Sequence, residues 1–275
     1  MSIQSPFQVS ERGFKYLGIF VTPDWNNLFE TNYSPLIQKI KNDLTKWASL
    51  PTSLLGRINT IKMNVLPRLN YVFQNLPCYL TPAFFKSLNS HISRYIWNNK
   101  HQRVKFSTLM KPKDLGGLSL PNLQLYYWSA QLKMLSNWFM NRKDSLWLGL
   151  ESLSCYPRRL NSLPFINNID KLNLLKNNII VYNTLLVWRD VKKYLNISPV
   201  ISLRSPLALN PDLPAQIRSI GLTEWTSKGL LNFTDLLVSY SVKSFEHIRE
   251  DFNIPHKDFY LSLSIFFIYN AGLWL

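Results

Sequence analysis

The chain has 275 residues, of which 46% are apolar and 14% aromatic, a composition that supports packed cores and excludes a disordered protein. Its 31 Lys and Arg residues against 16 Asp and Glu residues give a net charge of +15, which favours an anionic partner, either nucleic acid or an acidic membrane surface. The excess is local: residues 36–115 contain thirteen basic and two acidic residues, whereas residues 204–275 have a net charge of −1. We therefore expect a polyanion site in the first half of the chain.

The first predicted element is a β-hairpin. The run FKYLGIFVT, residues 14–22, is apolar and aromatic and lies between Gly13 and the Pro23-Asp24 pair, which is typical of a strand that forms one arm of a hairpin. Pro35 then marks the start of a helix with apolar residues every three or four positions, ending before Pro51. The predicted fold class is mainly α, with a short N-terminal β-hairpin, a helical bundle and a second helical region.

The next predicted helix, residues 53–77, has Ser53 as its cap and an apolar stripe interrupted by Pro67, which should kink it. At about 100° per residue, several polar side chains fall together on one flank of that stripe, with Lys62 on the other flank. The residues of this flank are Arg57, Asn64, Arg68 and Tyr71.

Such a flank is suited to a nucleic-acid strand, because guanidinium groups fit phosphate oxygens and amide and phenol groups add hydrogen bonds. The alternative is that the basic side chains only extend to solvent around a buried stripe. If the flank binds, replacing Arg57 and Arg68 together by Ala should weaken the salt dependence of duplex binding and leave the fold intact, since both arginines would lie beside the stripe.

A third helix is predicted to begin at Thr81-Pro82, and a basic segment, residues 97–106, follows it. That segment contributes Lys100, Arg103 and Lys105 as further candidate nucleic-acid contacts. Helical spacing resumes after residue 122 and again over 171–195, and four prolines between Ser198 and Ala215 predict a linker. The predicted divisions are 1–34, 35–115, 116–198, a linker at 199–219, a small helical segment at 220–260 and an atypical apolar tail at 261–275, expected to contribute little to the fold.

No complete catalytic motif is found in the sequence, which has no Gly-rich phosphate loop, HExxH, GxSxG or paired metal-binding carboxylates. Cys78 and Cys155 lie far apart without Cys or His at metal-ligand spacing. We therefore assign no catalytic residue and no metal ligand. The N-terminus lacks the apolar core of a signal peptide and residues 259–275 are short for a membrane span, so we expect an intracellular protein of the cytoplasm or nucleus without a membrane partner.

Several segments follow one another in a recognisable order: FKYLGIFVT, PLIQKIKNDLTKW, LPTSLLGRINTIKMNVLPRLNYVFQNLP, RYIWNNKHQRVKFSTL and KPKDLGGLSLPNLQLYYWSAQL. Together they resemble the region after the catalytic palm in reverse transcriptases of non-LTR retrotransposons of the long interspersed element type, and the similarity extends to about residue 258. The resemblance implies that Lys15, Tyr16 and Gly18 belong to a primer-grip hairpin and that the helices after it form a thumb, followed by a wrist-like region.

The resemblance also implies the partners. The thumb would bind an RNA and DNA template–primer duplex, together with the palm, fingers and endonuclease portions of a parent polyprotein. The family's catalytic aspartates precede the KYLGI strand, so this chain would hold neither them nor their divalent metal, and no cofactor or small-molecule ligand is expected in it. After Tyr260 the sequence departs from the family pattern.

An alternative of a different class is a helical protein-interaction module, or a non-functional product of a decayed retroelement copy. The two readings differ in salt dependence, because phosphate contacts release counterions and an apolar protein interface does not.

Overall fold

The computed structural model describes residues 10, 12–140, 145–172, 178–215, 222–239 and 241–272, with residues 266–272 described by their backbone alone. The described part is mainly helical and starts with a short antiparallel hairpin, which confirms the predicted fold class. The chain divides into two compact units, Met1–Gln131 and Leu132–Leu275, and the division falls within one helix. The finer divisions predicted from the sequence stay predictions.

The described part of the first unit contains two strands and six α-helices. They are β1 (Phe14–Tyr16), β2 (Ile19–Val21), α1 (Ser34–Ala48), α2 (Leu54–Thr60), α3 (Leu66–Asn75), α4 (Pro82–Ile96), α5 (Phe106–Met110) and α6 (Leu123–Phe139), the last of which continues into the second unit. The predicted caps of two helices are confirmed: Ser53 Oγ accepts from the N–H of Gly56 before α2, and Thr81 Oγ1 accepts from that of Phe84 at α4.

β1 and β2 pair antiparallel with Tyr16 opposite Ile19, so only Leu17 and Gly18 form the turn. The prediction of a single strand over residues 14–22 is therefore wrong, because this run forms both arms of the hairpin. Both turn residues have positive φ, as a two-residue turn matching the strand twist requires, and glycine meets this need at Gly18 without strain. β2 is anchored on its other side by Asn32, which accepts from the backbone N–H of Phe20 at 2.8 Å and donates to its carbonyl at 2.9 Å.

Pro35 and Pro67 are each preceded by a π-helical turn, Phe29–Tyr33 and Ile61–Val65 respectively. A proline ring in a regular helix collides with the carbonyl four residues earlier. The residue before each proline instead donates its N–H five residues back, Ser34 to Phe29 and Leu66 to Ile61, and this wider turn makes room for the ring. The helical run from residue 54 to residue 75 therefore continues through Pro67.

The core of the first unit is aromatic and lies among α1, α3, α4 and α6. Tyr33, Phe73, Phe85 and Tyr127 are fully buried and contact one another in stacked, tilted and edge-to-face pairs. Both buried phenol groups donate to backbone carbonyls, Tyr33 to that of Val72 and Tyr127 to that of Cys78 at 2.8 Å. This packing fixes the helices that carry the basic residues.

In the described ranges, the second unit contains the end of α6, five further α-helices and one strand pair. The others are α7 (Leu146–Cys155), α8 (Ile179–Tyr194), α9 (Leu222–Ser227), β3 (Leu237–Val238), β4 (Ser241–Val242), α10 (Phe245–Phe252) and α11 (Phe259–Gly272). The predicted helix over 171–195 is confirmed from residue 179, whereas the β3–β4 pair within 220–260 was not expected from the sequence.

The proline-rich segment predicted as a linker is packed rather than exposed. Leu207, Ala208 and Leu213 are buried in the core of the second unit, and the Asn210 side chain is fully buried, donating to the carbonyl of Pro206. Residues 205–213 have no regular secondary structure, but they are held against the core by the buried apolar residues that lie between the prolines. The linker interpretation is therefore wrong for residues 205–213.

The start of the apolar tail also belongs to this core. Leu261 and Ile265 of α11 are 4% and 3% exposed and lie in one cluster with Trp225, Phe245 and Ile248. The expectation that residues 261–275 contribute little to the fold is wrong for these two side chains. None of the helices in the described ranges is long and apolar enough to cross a bilayer.

Candidate nucleic-acid interface

The basic charge of residues 36–115 lies mostly on the surface of the first unit. Nine of the thirteen basic residues are exposed: Lys39, Lys46, Lys86, Arg94, Lys100, Arg103, Lys105, Lys111 and Lys113. Of the two acidic residues in this range, Asp43 is paired with Arg68, with 2.6 Å between the carboxylate and the guanidinium. The surface of this unit is therefore strongly positive, as the sequence predicts for a polyanion-binding domain.

The hairpin and α3 meet at the residues predicted to contact nucleic acid. The Tyr71 hydroxyl donates to the carbonyl of Leu17, and a Cβ added at Gly18 would lie 3.9 Å from the Tyr71 ring. The β1 side chains Lys15 and Tyr16 are exposed beside this turn. The structure thus brings Lys15, Tyr16, Gly18 and Tyr71 into one small region, although their role in binding stays a prediction.

Arg57 does not lie on the exposed flank that the helical spacing predicts. It is 5% exposed, and its guanidinium donates to the carbonyls of Tyr95 at 2.8 Å and Ala48 at 3.2 Å, with longer bonds to Leu50 and Thr52 at 3.4 Å. Helix ends leave backbone carbonyls without intrahelical partners. Arg57 satisfies those at the ends of α1 and α4, so its predicted place on a strand-facing edge is wrong.

The other residues of that helix are occupied to different extents. Arg68 is held by Asp43 and lies over the ring of Trp47, with 5.9 Å between the guanidinium carbon and the ring centroid. Lys62 donates to the carbonyl of Leu118 at 3.2 Å and is half-buried, whereas Asn64 is exposed. The four-residue edge predicted from the helical spacing is therefore reduced to Asn64, Tyr71 and a partly neutralised Arg68.

The basic segment after α4 is the most open of the predicted contact regions. Lys100, Arg103 and Lys105 are all exposed, and none of them makes an ion pair with any residue in the described ranges. Three free cations in a short loop can approach a phosphate backbone without losing an internal partner. Of the predicted contact regions, this loop is therefore the one whose exposure and charge fit nucleic-acid binding best.

Two cations that the sequence interpretation did not select lie in the groove between α1 and α4. Lys41 and Arg94 line one cavity there together with the half-buried His91. Their positions in the sequence could have indicated this groove, because Lys41 follows the buried Ile40 on α1 and Arg94 precedes the buried Tyr95 on α4. Residues beside a buried stripe line the groove where two helices pack.

Groups with shifted pKa values have structural explanations. Burial raises the pKa of the Cys78 thiol to about 11 and raises that of the Tyr33 phenol, so neither is activated as a nucleophile. Desolvation likewise raises the pKa of Glu151 in the second unit, although the Trp138 indole N–H opposes the shift. No group of three or more His, Cys, Asp and Glu side chains within the described ranges could hold a metal ion.

No protein-family model matches this chain. The similarity to retrotransposon reverse transcriptases therefore stays a prediction that rests on the quoted segments.

Proposed function

We propose that this chain is the thumb-containing part of a non-LTR retrotransposon reverse transcriptase and binds the template–primer duplex without catalytic residues of its own. The observation that supports this most is the concentration of exposed cations on the first unit, which make no ion pair in the described ranges, together with a short hairpin in the same unit at the predicted primer-grip position. The thumb binds through the phosphate backbone, with Lys100, Arg103 and Lys105 as its main cations and Tyr16 and Tyr71 at the hairpin.

The proposal is tested by measuring the affinity of the purified chain for a blunt RNA–DNA duplex by fluorescence anisotropy over a series of salt concentrations. Each phosphate contact should contribute about 0.7–0.9 to the slope of log affinity against log salt, so the three loop cations alone predict a slope of at least about 2. Duplexes of unrelated sequence should bind equally, because phosphate contacts do not read bases. An absent or salt-independent affinity would contradict the proposal.

We further expect that the isolated chain incorporates no nucleotide with any template, primer or divalent metal. The reason is the resemblance itself, which places the catalytic aspartates upstream of the KYLGI strand, and two-metal phosphoryl transfer needs such carboxylates. A primer-extension assay on a preparation free of host polymerases checks this. Template-directed extension by that preparation would overturn it.

A second candidate function, that of a helical protein-interaction module, is favoured by an exposed apolar face on α7. Leu146, Leu150 and Leu153 fall on one side of this helix and are 88%, 69% and 74% exposed. Such a face is typical of a surface that another protein covers. If this were the main function, the chain would not show the salt-dependent duplex affinity described above.

A further inference from the structure

Two cavities lie along the groove between α1 and α4, outside the residues predicted to bind the duplex. The first has a volume of about 200 Å³, and the second of about 370 Å³. Lys41 lines both cavities. The second is lined by the N-terminal halves of both helices and the first by their C-terminal halves, so α1 and α4 run side by side in the same direction.

The first cavity is suited to an anion. Lys41, His91 and Arg94 supply its basic groups and Asn99 supplies a further donor, and none of its lining residues is acidic. In the described ranges, neither Lys41 nor Arg94 makes an ion pair. His91 donates from Nδ1 to the carbonyl of Ser87 at 2.8 Å, which fixes the ring, and its Nε2 can donate to an anion in the imidazolium form.

The ends of α1 and α4 lie at this cavity, and helix C-termini carry partial negative charge that disfavours an anion. The buried Arg57 offsets this effect, because its guanidinium binds the carbonyls of Ala48 and Tyr95 at these two ends. The full charges of Lys41 and Arg94 then set the sign of the potential in the cavity. Arg57 thus favours an anion in the cavity by neutralising these two helix ends, although it does not itself line the cavity.

The second cavity has a different character. Its apolar walls are Phe29, Ile37, Phe84 and Leu88, and it lies within the size range of small-ligand sites. Phe29 and Phe84 meet edge to face, with ring centroids 6.1 Å apart, so one ring lies across the edge of the other. An aromatic wall beside an anion pocket is the combination that a nucleotide requires, with its phosphate in one cavity and its base in the other.

We propose that the α1–α4 groove binds one unpaired nucleotide of a nucleic-acid strand. Lys41, Arg94 and His91 hold its phosphate, and Phe29 and Phe84 contact its base. The inference rests on the proposed function in that the partner is nucleic acid. It adds a separate site for single-stranded nucleic acid, because a base paired within a duplex cannot enter the aromatic cavity.

The test compares two double variants that remove the same charge from the same two helices. Lys41→Ala with Arg94→Ala removes both cations of the groove, whereas Lys39→Ala with Lys86→Ala removes exposed lysines that line neither cavity. Each variant is titrated by anisotropy against a labelled oligothymidine strand and a blunt RNA–DNA duplex. We expect the groove variant to lose at least about tenfold in affinity for the single strand. The control variant should lose much less, and both should keep most of their duplex affinity.

The base cavity is tested with an abasic strand of the same length and charge. The wild-type chain should bind oligothymidine more tightly than the abasic strand by about fivefold or more, and Phe84→Leu should abolish this preference. Thermal melting confirms that each variant is folded.

Equal losses in the two double variants, or equal affinity of the wild-type chain for the thymidine and abasic strands, would overturn the inference. Either result would leave duplex binding intact. Tight single-strand binding through the groove without duplex binding would instead contradict the proposed function alone.

Discussion

Replacing Arg57 by alanine is expected to lower the free energy of unfolding by at least about 3 kcal/mol, because hydrogen bonds to a charged group contribute roughly 1.5–3 kcal/mol each. The guanidinium holds the end of α1 through Ala48 and the end of α4 through Tyr95, and its ring contact with Tyr95 adds to this. The melting temperature should fall by about 6–12 °C. Calorimetry or circular dichroism measures this directly.

Arg57→Lys should recover only part of the loss, since a single ammonium cannot reach the carbonyls of two helices at once. Arg94→Ala is the matched control, because Arg94 lies near the same end of α4 but is exposed. It should leave the melting temperature within about 2 °C. If Arg57→Ala melted like the control, the buried hydrogen bonds would not stabilise this unit. The prediction that Arg57 lies on an exposed flank facing nucleic acid would then be favoured again.

The second large effect is expected from truncating the chain after Tyr260. This removes Leu261 and Ile265 from the core around Trp225, and fully burying each such side chain is worth about 1.5–3 kcal/mol. A loss of about 3–6 kcal/mol is a large part of the usual stability of a domain. The truncated chain should therefore melt much earlier in urea or on heating.

A matched pair of point variants separates packing from truncation. Leu261→Ala should cost about 2–5 kcal/mol, because Leu261 is 4% exposed, whereas Leu263→Ala on the same helix should cost far less, because Leu263 is 37% exposed. Equal stability of the two variants and of the truncated chain would show that α11 lies apart from the core, as the sequence alone suggested.

Periodicity and end signals predicted the helices well. Buried Ile40 and Leu44 lie on the predicted stripe of α1, and the Ser53 and Thr81 caps are where the sequence places them. These features are local, since the spacing of apolar residues and the chemistry of a cap act within one or two turns. The hairpin was predicted less well, because residues 14–22 were assigned to one arm, whereas they form both arms with the turn at Leu17 and Gly18.

The errors arose from contacts between distant parts of the chain. A helical wheel places Arg57 beside an apolar stripe, but it cannot show that the ends of α1 and α4 converge there and need donors. The four prolines were read as a linker although Leu207 and Leu213 between them reach the core. The tail was judged by its departure from a family pattern, which says nothing of the packing of Leu261 against Trp225.

The most direct measurement of the central proposal removes the three loop cations together. The salt dependence of binding to a blunt RNA–DNA duplex is compared for the wild-type chain, a variant with Lys100, Arg103 and Lys105 replaced by Ala, and a control with Arg204, Arg249 and Lys257 replaced by Ala. All six residues are exposed, and both variants remove three positive charges, but the control residues lie in the nearly neutral last part of the chain.

The loop variant should lower the slope of log affinity against log salt by about 2, since each lost phosphate contact removes about 0.7–0.9. The control should keep the wild-type slope. A wild-type chain that binds no duplex, or a loop variant and a control that lose equally, would contradict duplex binding through this basic unit.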